Sequence, residues 1–225
     1  MRRIFLMLGL SVLLSAPARA TPGHLDRVLA TLVLRACIWP DFYGISYRNP
    51  HTQQLTGLDV DMAHAFAKDL GVQLRFVDTS FAKLIDDVTE DRCDIAMFAI
   101  GVTPQRAAKL RFTRPHLVSD FYAITTHSDR RIKNWSDIDQ PGVVIAVIQG
   151  SLHESLLREK LKAATLLVVG DAPARDLEVE SGRADVFMTT FPSGRLMLDH
   201  VDWARLIGSP VPYHLTPPRL RRSAR

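Results

Sequence analysis

The sequence predicts an α/β protein of two βαβ lobes around a ligand cleft, and three observations carry that prediction. Strand-like and helix-like segments alternate from about residue 30 onward, the pattern of parallel βαβ units rather than of an all-α or all-β chain. The alternation pauses at a β-rich stretch over residues 121–126 and then restarts in the same outline. No low-complexity linker separates the halves, so the two lobes are expected to pack against each other.

The elements follow in order along the 225 residues. Arg2 and Arg3, an apolar run over 4–14 and small residues over 16–20 read as a secretory signal, residues 1–20, cleaved after Ala20. That run is too short to span a bilayer, and neither cysteine adjoins the cleavage point, so a free periplasmic protein is expected rather than a lipoprotein. Residues 32–38 read as the first strand. A helix over 58–70 puts Ala63, Phe66, Ala67 and Leu70 on one face and stops at Gly71. A strand at 73–77, a helix carrying Phe81, Leu84, Ile85 and Val88, and a strand at 94–98 complete the first unit. The second has strands at 143–147, 165–169 and 184–188. Helices lie between them from Ser151, with Glu154 as its capping-box partner, and from Asp171. Residues 21–126 are assigned to lobe 1 and 127–209 to lobe 2. Residues 210–225 are an atypical tail where a return to lobe 1 would begin.

Composition narrows the function. The formal charge of +4 is concentrated in the signal and the last residues, and basic residues are not interleaved with aromatics, so no nucleic-acid groove is expected. The eight histidines lack metal-ligand spacing, His116 is read as a surface or packed residue, and neither a metal nor a cofactor is expected. An oxidising compartment would permit a bridge between Cys37 and Cys93. Two cysteines in strands are more often small core residues, which is the expectation here.

In open parallel sheets ligands bind beyond the carboxyl ends of strands, which directs attention to 39–43, 98–106, 149–152 and 189–191. Arg106 stands out. Thr103 can cap and Pro104 can open a short helix there, yet a cation in its first turn opposes the helix dipole. A guanidinium beside free backbone N–H groups is a carboxylate cradle. Trp39 and Phe42 offer aromatic walls or, equally, core packing.

On these stretches the chain resembles the family-3 solute-binding proteins, the periplasmic receptors of polar amino-acid ABC transporters with the type II two-lobed fold. The matching pieces are Gly-Leu-Asp-Val-Asp-Met (57–62), Asp-Ile-Ala-Met (94–97), Val-Thr-Pro-Gln-Arg (102–106), Leu-Arg-Phe-Thr-Arg-Pro (110–115), Gln-Gly-Ser (149–151) and Ser-Gly-Arg-Ala-Asp (181–185). The resemblance implies that Arg106 holds a ligand carboxylate and Phe42 covers the ligand. Phe98, Ala99 and Gly101 would line the pocket, and Ser151 with Leu152 would close it from lobe 2. The carboxylates of 57–61 would be architectural. It also implies a monomer that delivers an amino acid or related carboxylate to an inner-membrane ABC permease without covalent chemistry.

Three departures stand against the pattern. Thr190 occupies a position where such receptors place an aspartate for the ligand ammonium. Phe98 and Leu152 make the pocket more apolar than usual. The resemblance stops near Thr216, where relatives continue for about forty residues, and a frameshift or early stop is the expected reason. A rival reading is a periplasmic cyclohexadienyl or arogenate dehydratase, which the segments at 59–62 and 137–143 resemble. Asp41 and Glu154 would be its nearest acids, with Glu154 better explained as a cap. The expectation remains a binding protein rather than an enzyme.

Overall fold

The computed structural model describes residues 23–210. The expected signal segment (1–20) and the tail from 211 lie outside the described residues.

A short helix α1 (His24–Thr31) leads into β1 (Val33–Ile38), a strand buried at Leu34 and over its last three residues. An antiparallel meander of β2 (Asp41–Phe42), β3 (Ser46–Arg48) and β4 (Leu55–Thr56) follows. Helix α2 (Leu58–Leu70) starts at Gly57, which has φ +130° and sits where a Cβ would fall 2.4 Å from the Ile45 carbonyl oxygen. Only glycine fits that start. The helix ends, as its sequence implies, on left-handed Gly71. Beyond it come β5 (Gln73–Asp78), α3 (Leu84–Thr89) and the two-residue β6 (Ile95–Ala96), then α4 (Pro104–Ala107). The sheet is parallel in the order β5-β1-β6.

The second sheet has five strands in the order β11-β7-β10-β8-β9. In chain order these are β7 (Phe121–Thr126), β8 (Val144–Ile148), β9 (Thr165–Val169), β10 (Val186–Thr190) and β11 (Ala204–Gly208). Helices α5 (Leu152–Lys160), α6 (Ala172–Glu180) and α7 (Phe191–Met197) connect them. β8, β9 and β10 run parallel, while β7 pairs antiparallel with β10 and β11. The stretch read as the end of lobe 1 is thus hydrogen-bonded into the second sheet. Its core is apolar on both faces of β8, with Ile145 and Val147 against Leu157 and Ala146 against Phe187 and Val179.

Three expectations need correction. Cys37 and Cys93 are bonded, with Cα atoms 5.6 Å apart. Pairing of Cys37 with Ala96 puts the residue three places earlier beside β1, which is why two buried cysteines meet. Phe66 lies on the solvent side of α2, 39% exposed, because the buried stripe runs through Asp59, Val60, Ala63 and Ala67. The strand expected over 94–98 is only Ile95–Ala96, and three residues beyond it Ala99 has a φ of +49°.

Candidate ligand-binding cleft

The residues after β1, the turn before α3, the loop after β6 and the start of α5 converge between the lobes. Trp39, Phe42 and Phe81 pack with ring centres 5.3 Å (Trp39 to Phe42) and 4.9 Å (Trp39 to Phe81) apart. Phe81 also meets Phe98 at 5.0 Å. Trp39 and Phe98 are buried, and Ile148 and Ala172 of the second lobe complete the apolar cluster. These aromatics are therefore packed in a cluster that lies where the two lobes meet.

Arg106 is the charged centre. Thr103 caps α4 by accepting the Arg106 N–H at 3.2 Å, and Pro104 opens the helix. The side chain is 4% exposed. Its Nη1 donates to the Gly101 carbonyl at 2.7 Å and its Nη2 to the Gly150 carbonyl at 2.8 Å, one partner from each lobe. Its Cζ sits 5.6 Å from the centre of the Phe81 ring. Burial pulls the guanidinium pKa down to about 10, so the group stays charged at neutral pH. A buried cation held by neutral carbonyls gains strongly from an anion.

The lobes touch here with little room. A Cβ on Gly101 would fall 2.5 Å from the Leu152 Cδ2 atom, and one on Gly150 would fall 2.7 Å from the Ala82 backbone. The buried hydroxyl of Ser151 accepts the Glu154 N–H at 3.1 Å. Glu154 Oε2 accepts the Gly150 N–H at 2.6 Å. The cap is real, but its carboxylate reaches one residue further back than a capping box requires. Thr190 donates to the Ser193 hydroxyl at 3.2 Å, which in turn donates to the Tyr43 carbonyl at 2.8 Å, tying β10 to the meander of lobe 1. Of the sequence-derived residues, Trp39, Phe42, Phe98, Gly101, Arg106 and Leu152 meet at one place, with Ser151 joining through the α5 turn. Thr190 belongs to a separate contact between the lobes.

Phe81 was missed as a cleft residue, whereas Gly150 lay within the 149–152 stretch named from sequence, Asp59 was read as architectural and His116 as a surface or packed residue. Phe81 read as a core position of α3 but precedes it, and the turn Thr79-Ser80 was the available signal. Asp59 is 1% exposed, and its Oδ2 accepts the Ala99 N–H at 2.6 Å. Its Oδ1 accepts from His116 Nε2 at 2.9 Å. Two further acids are displaced in pKa. Burial, then the charge of Asp171, pushes Asp41 upward. Burial also pushes Asp176 upward against the pull of Arg175, which it contacts at 2.7 Å. Among the described residues no cluster of three or more His, Cys, Asp or Glu side chains could hold a metal ion.

Residues 34–203 match the bacterial extracellular solute-binding proteins, family 3. The chain belongs to that family. It is 37% identical to the cyclohexadienyl dehydratase of Pseudomonas aeruginosa over 83% of this chain and 70% of that protein. It is 24% identical to the L-cystine-binding protein TcyJ of Escherichia coli over 60% of this chain and half of that protein. The crystal structure of the ancestral amino acid-binding protein AncCDT-1, a precursor of cyclohexadienyl dehydratase, superimposes with TM-score 0.75 at 28% identity. That match covers 82% of this chain and 80% of the other. The two-lobed fold and the family membership expected from sequence are thereby established. The expectation that the chain is not an enzyme is overturned, because the dehydratase shares more sequence with it, over more of its length, than the cystine-binding receptor does.

Proposed function

We propose that the protein captures a small carboxylate, an amino acid or a related organic acid, between its two lobes, with Arg106 as the anchor of the carboxylate. The observation that carries this reading is the buried guanidinium shared by one carbonyl from each lobe, Gly101 and Gly150. Two of its five N–H donors are used by those carbonyls, and in this reading a carboxylate enters as the lobes part, takes the remaining donors and is sealed in when they close. Phe42, Phe81 and Leu152 would cover the ligand's apolar part, with Trp39, Phe98 and Ala99 as the floor and Ser151 at the lobe 2 rim. The apolar walls favour a ligand with an aromatic or aliphatic body. The lobes expected over 21–126 and 127–209 serve in this reading with their boundary moved to before Phe121, since Phe121–Thr126 is a strand of the second sheet. In this reading the protein works as a monomer in the periplasm, exported by the segment 1–20, and hands its ligand to an ABC permease. A thermal melt of residues 21–225 with each common amino acid and with prephenate tests the capture. An upward shift with one of them, abolished in a folded Arg106→Ala variant, supports the assignment, and a shift that persists in the variant refutes it.

A second reading has its own observation. A dehydratase needs an acid beside the departing hydroxyl to release it as water. Asp41, adjacent to Phe42, has its carboxyl raised by burial and by Asp171, and the dehydratase of P. aeruginosa is 37% identical to this chain. Prephenate turnover by the purified protein, lost in Asp41→Asn with ligand binding retained, would make catalysis the function. Absence of turnover under both saturating prephenate and saturating arogenate would remove this reading.

A further inference from the structure

Asp59 and His116 lie outside the pocket walls, yet they hold its most strained segment. Ala99 has φ +49°, a conformation that costs an alanine its Cβ clearance and is routine only for glycine. Something must hold it there. The Ala99 N–H points at Asp59 Oδ2, 2.6 Å away, and the other carboxylate oxygen takes His116 Nε2 at 2.9 Å. Because an ionised carboxylate only accepts, the imidazole nitrogen is the donor. Asp59 is itself fixed through its own N–H, which donates to the Ile45 carbonyl at 2.9 Å. Two residues past Ala99, the Gly101 carbonyl accepts Arg106 Nη1 at 2.7 Å. A continuous chain of contacts thus runs from His116 through Asp59 and the 99–101 turn to the guanidinium.

We propose that Asp59 and His116 are positioning residues for the Arg106 anion site: the Asp59 carboxylate, held by His116, keeps Ala99 in the left-handed turn that presents the Gly101 carbonyl to the guanidinium. This rests on the reading of Arg106 as the ligand's anchor. Neither residue touches ligand. A competing account makes Asp59 only a helix-start carboxylate that favours the α2 dipole. The two accounts differ at position 99, since a helix-start role is indifferent to the backbone angle there.

The test needs no ligand. Side-chain 15N NMR of the mature protein resolves an arginine whose guanidinium rotation is slowed by two fixed acceptors. Asp59→Ala should speed Arg106 Nη exchange by about tenfold, the scale of one lost charge-assisted hydrogen bond. Adding Ala99→Gly should restore slow exchange, because glycine takes the turn without being held. His116, 37% exposed at the rim, supplies a variant that folds even where Asp59→Ala does not, and His116→Ala should speed the same exchange to a smaller extent. Unchanged Arg106 exchange in folded His116→Ala and Asp59→Ala would overturn the proposal, as would faster exchange that Ala99→Gly fails to slow. The anchor reading fails by a different result, a ligand-induced melting shift that survives Arg106→Ala.

Discussion

Breaking the Cys37–Cys93 bond should cost this protein a large part of its stability and loosen the cleft at the same time. The bridge spans 56 residues of sequence. In the chain-entropy account, restraining a loop of that length removes about 4 kcal/mol of conformational freedom from the unfolded chain at 25 °C. Single domains have a total stability of about 5–15 kcal/mol. With a urea slope of about 2 kcal/mol per molar, the midpoint should fall by about 2 M. Both sulfurs are buried, so Cys37→Ala with Cys93→Ala adds a small packing loss to the entropic one. The functional consequence follows from position. Cys37 sits two residues before Trp39, and Cys93 stands at the head of the strand that leads to the 98–101 turn, so the bridge staples together two segments that floor the cleft. The assay is a pair of urea melts, oxidised and reduced, with Trp fluorescence as the probe. Oxidised and reduced proteins melting within about 0.5 M of each other would refute the reasoning, since that corresponds to only about 1 kcal/mol.

Asp94 is 3% exposed and accepts from the Arg35 backbone N–H at 2.8 Å and from the Arg35 and Arg27 guanidinium groups. Burial works to raise its pKa, but those hydrogen bonds outweigh it and hold the carboxyl at about 2, against 3.8 for the free group. A depressed acid contributes stability above its unfolded pKa and loses it as pH falls through the folded value. Asp94→Asn should therefore cost about 2 kcal/mol at pH 7, with the gap to wild type closing between about pH 4 and 2; a gap independent of pH would contradict it. Gly150→Ala adds a Cβ 2.7 Å from the Ala82 backbone at φ +73°, which should hold the lobes apart and weaken ligand capture at least about tenfold, at a backbone cost of about 1–2 kcal/mol. Small-angle scattering should then show a larger radius of gyration, and an unchanged radius with unchanged affinity would exclude the contact. Ala99→Gly should stabilise the fold by about 1 kcal/mol because the left-handed turn no longer crowds a Cβ. A lower melting point would show that Ala99 carries packing the turn needs.

Periodicity and caps made much of the fold legible. The α2 boundaries, Gly71 as its end, Thr103 and Pro104 at α4, and Ser151 and Asp171 as helix starts each depend on one or two neighbouring residues, and all stand in the structure. Features set by distant partners were harder to see. The direction of β7 depends on which strands it meets, and nothing within 121–126 says that they are β10 and β11. The disulfide depended on the register of β1 against β6, which two isolated cysteines do not announce. In the cleft, the conflict between a cation and its helix start marked Arg106. Asp59 looked architectural because its importance lies in an amide forty residues away.

The partners of Arg106 are main-chain oxygens, and a main-chain oxygen survives every substitution of its residue. No exchange of side chain at 101 or 150 can delete an acceptor; it can only alter how closely the lobes meet. Those two hydrogen bonds are thereby insulated from the kind of change that reshapes the walls at Phe42 and Leu152, though not from one at Phe81, whose ring lies 5.6 Å from the guanidinium carbon. If Arg106 anchors a carboxylate as proposed, a descendant of this chain could exchange one organic acid for another by altering those walls, and the chemistry of recognition would drift without the two main-chain contacts being rebuilt.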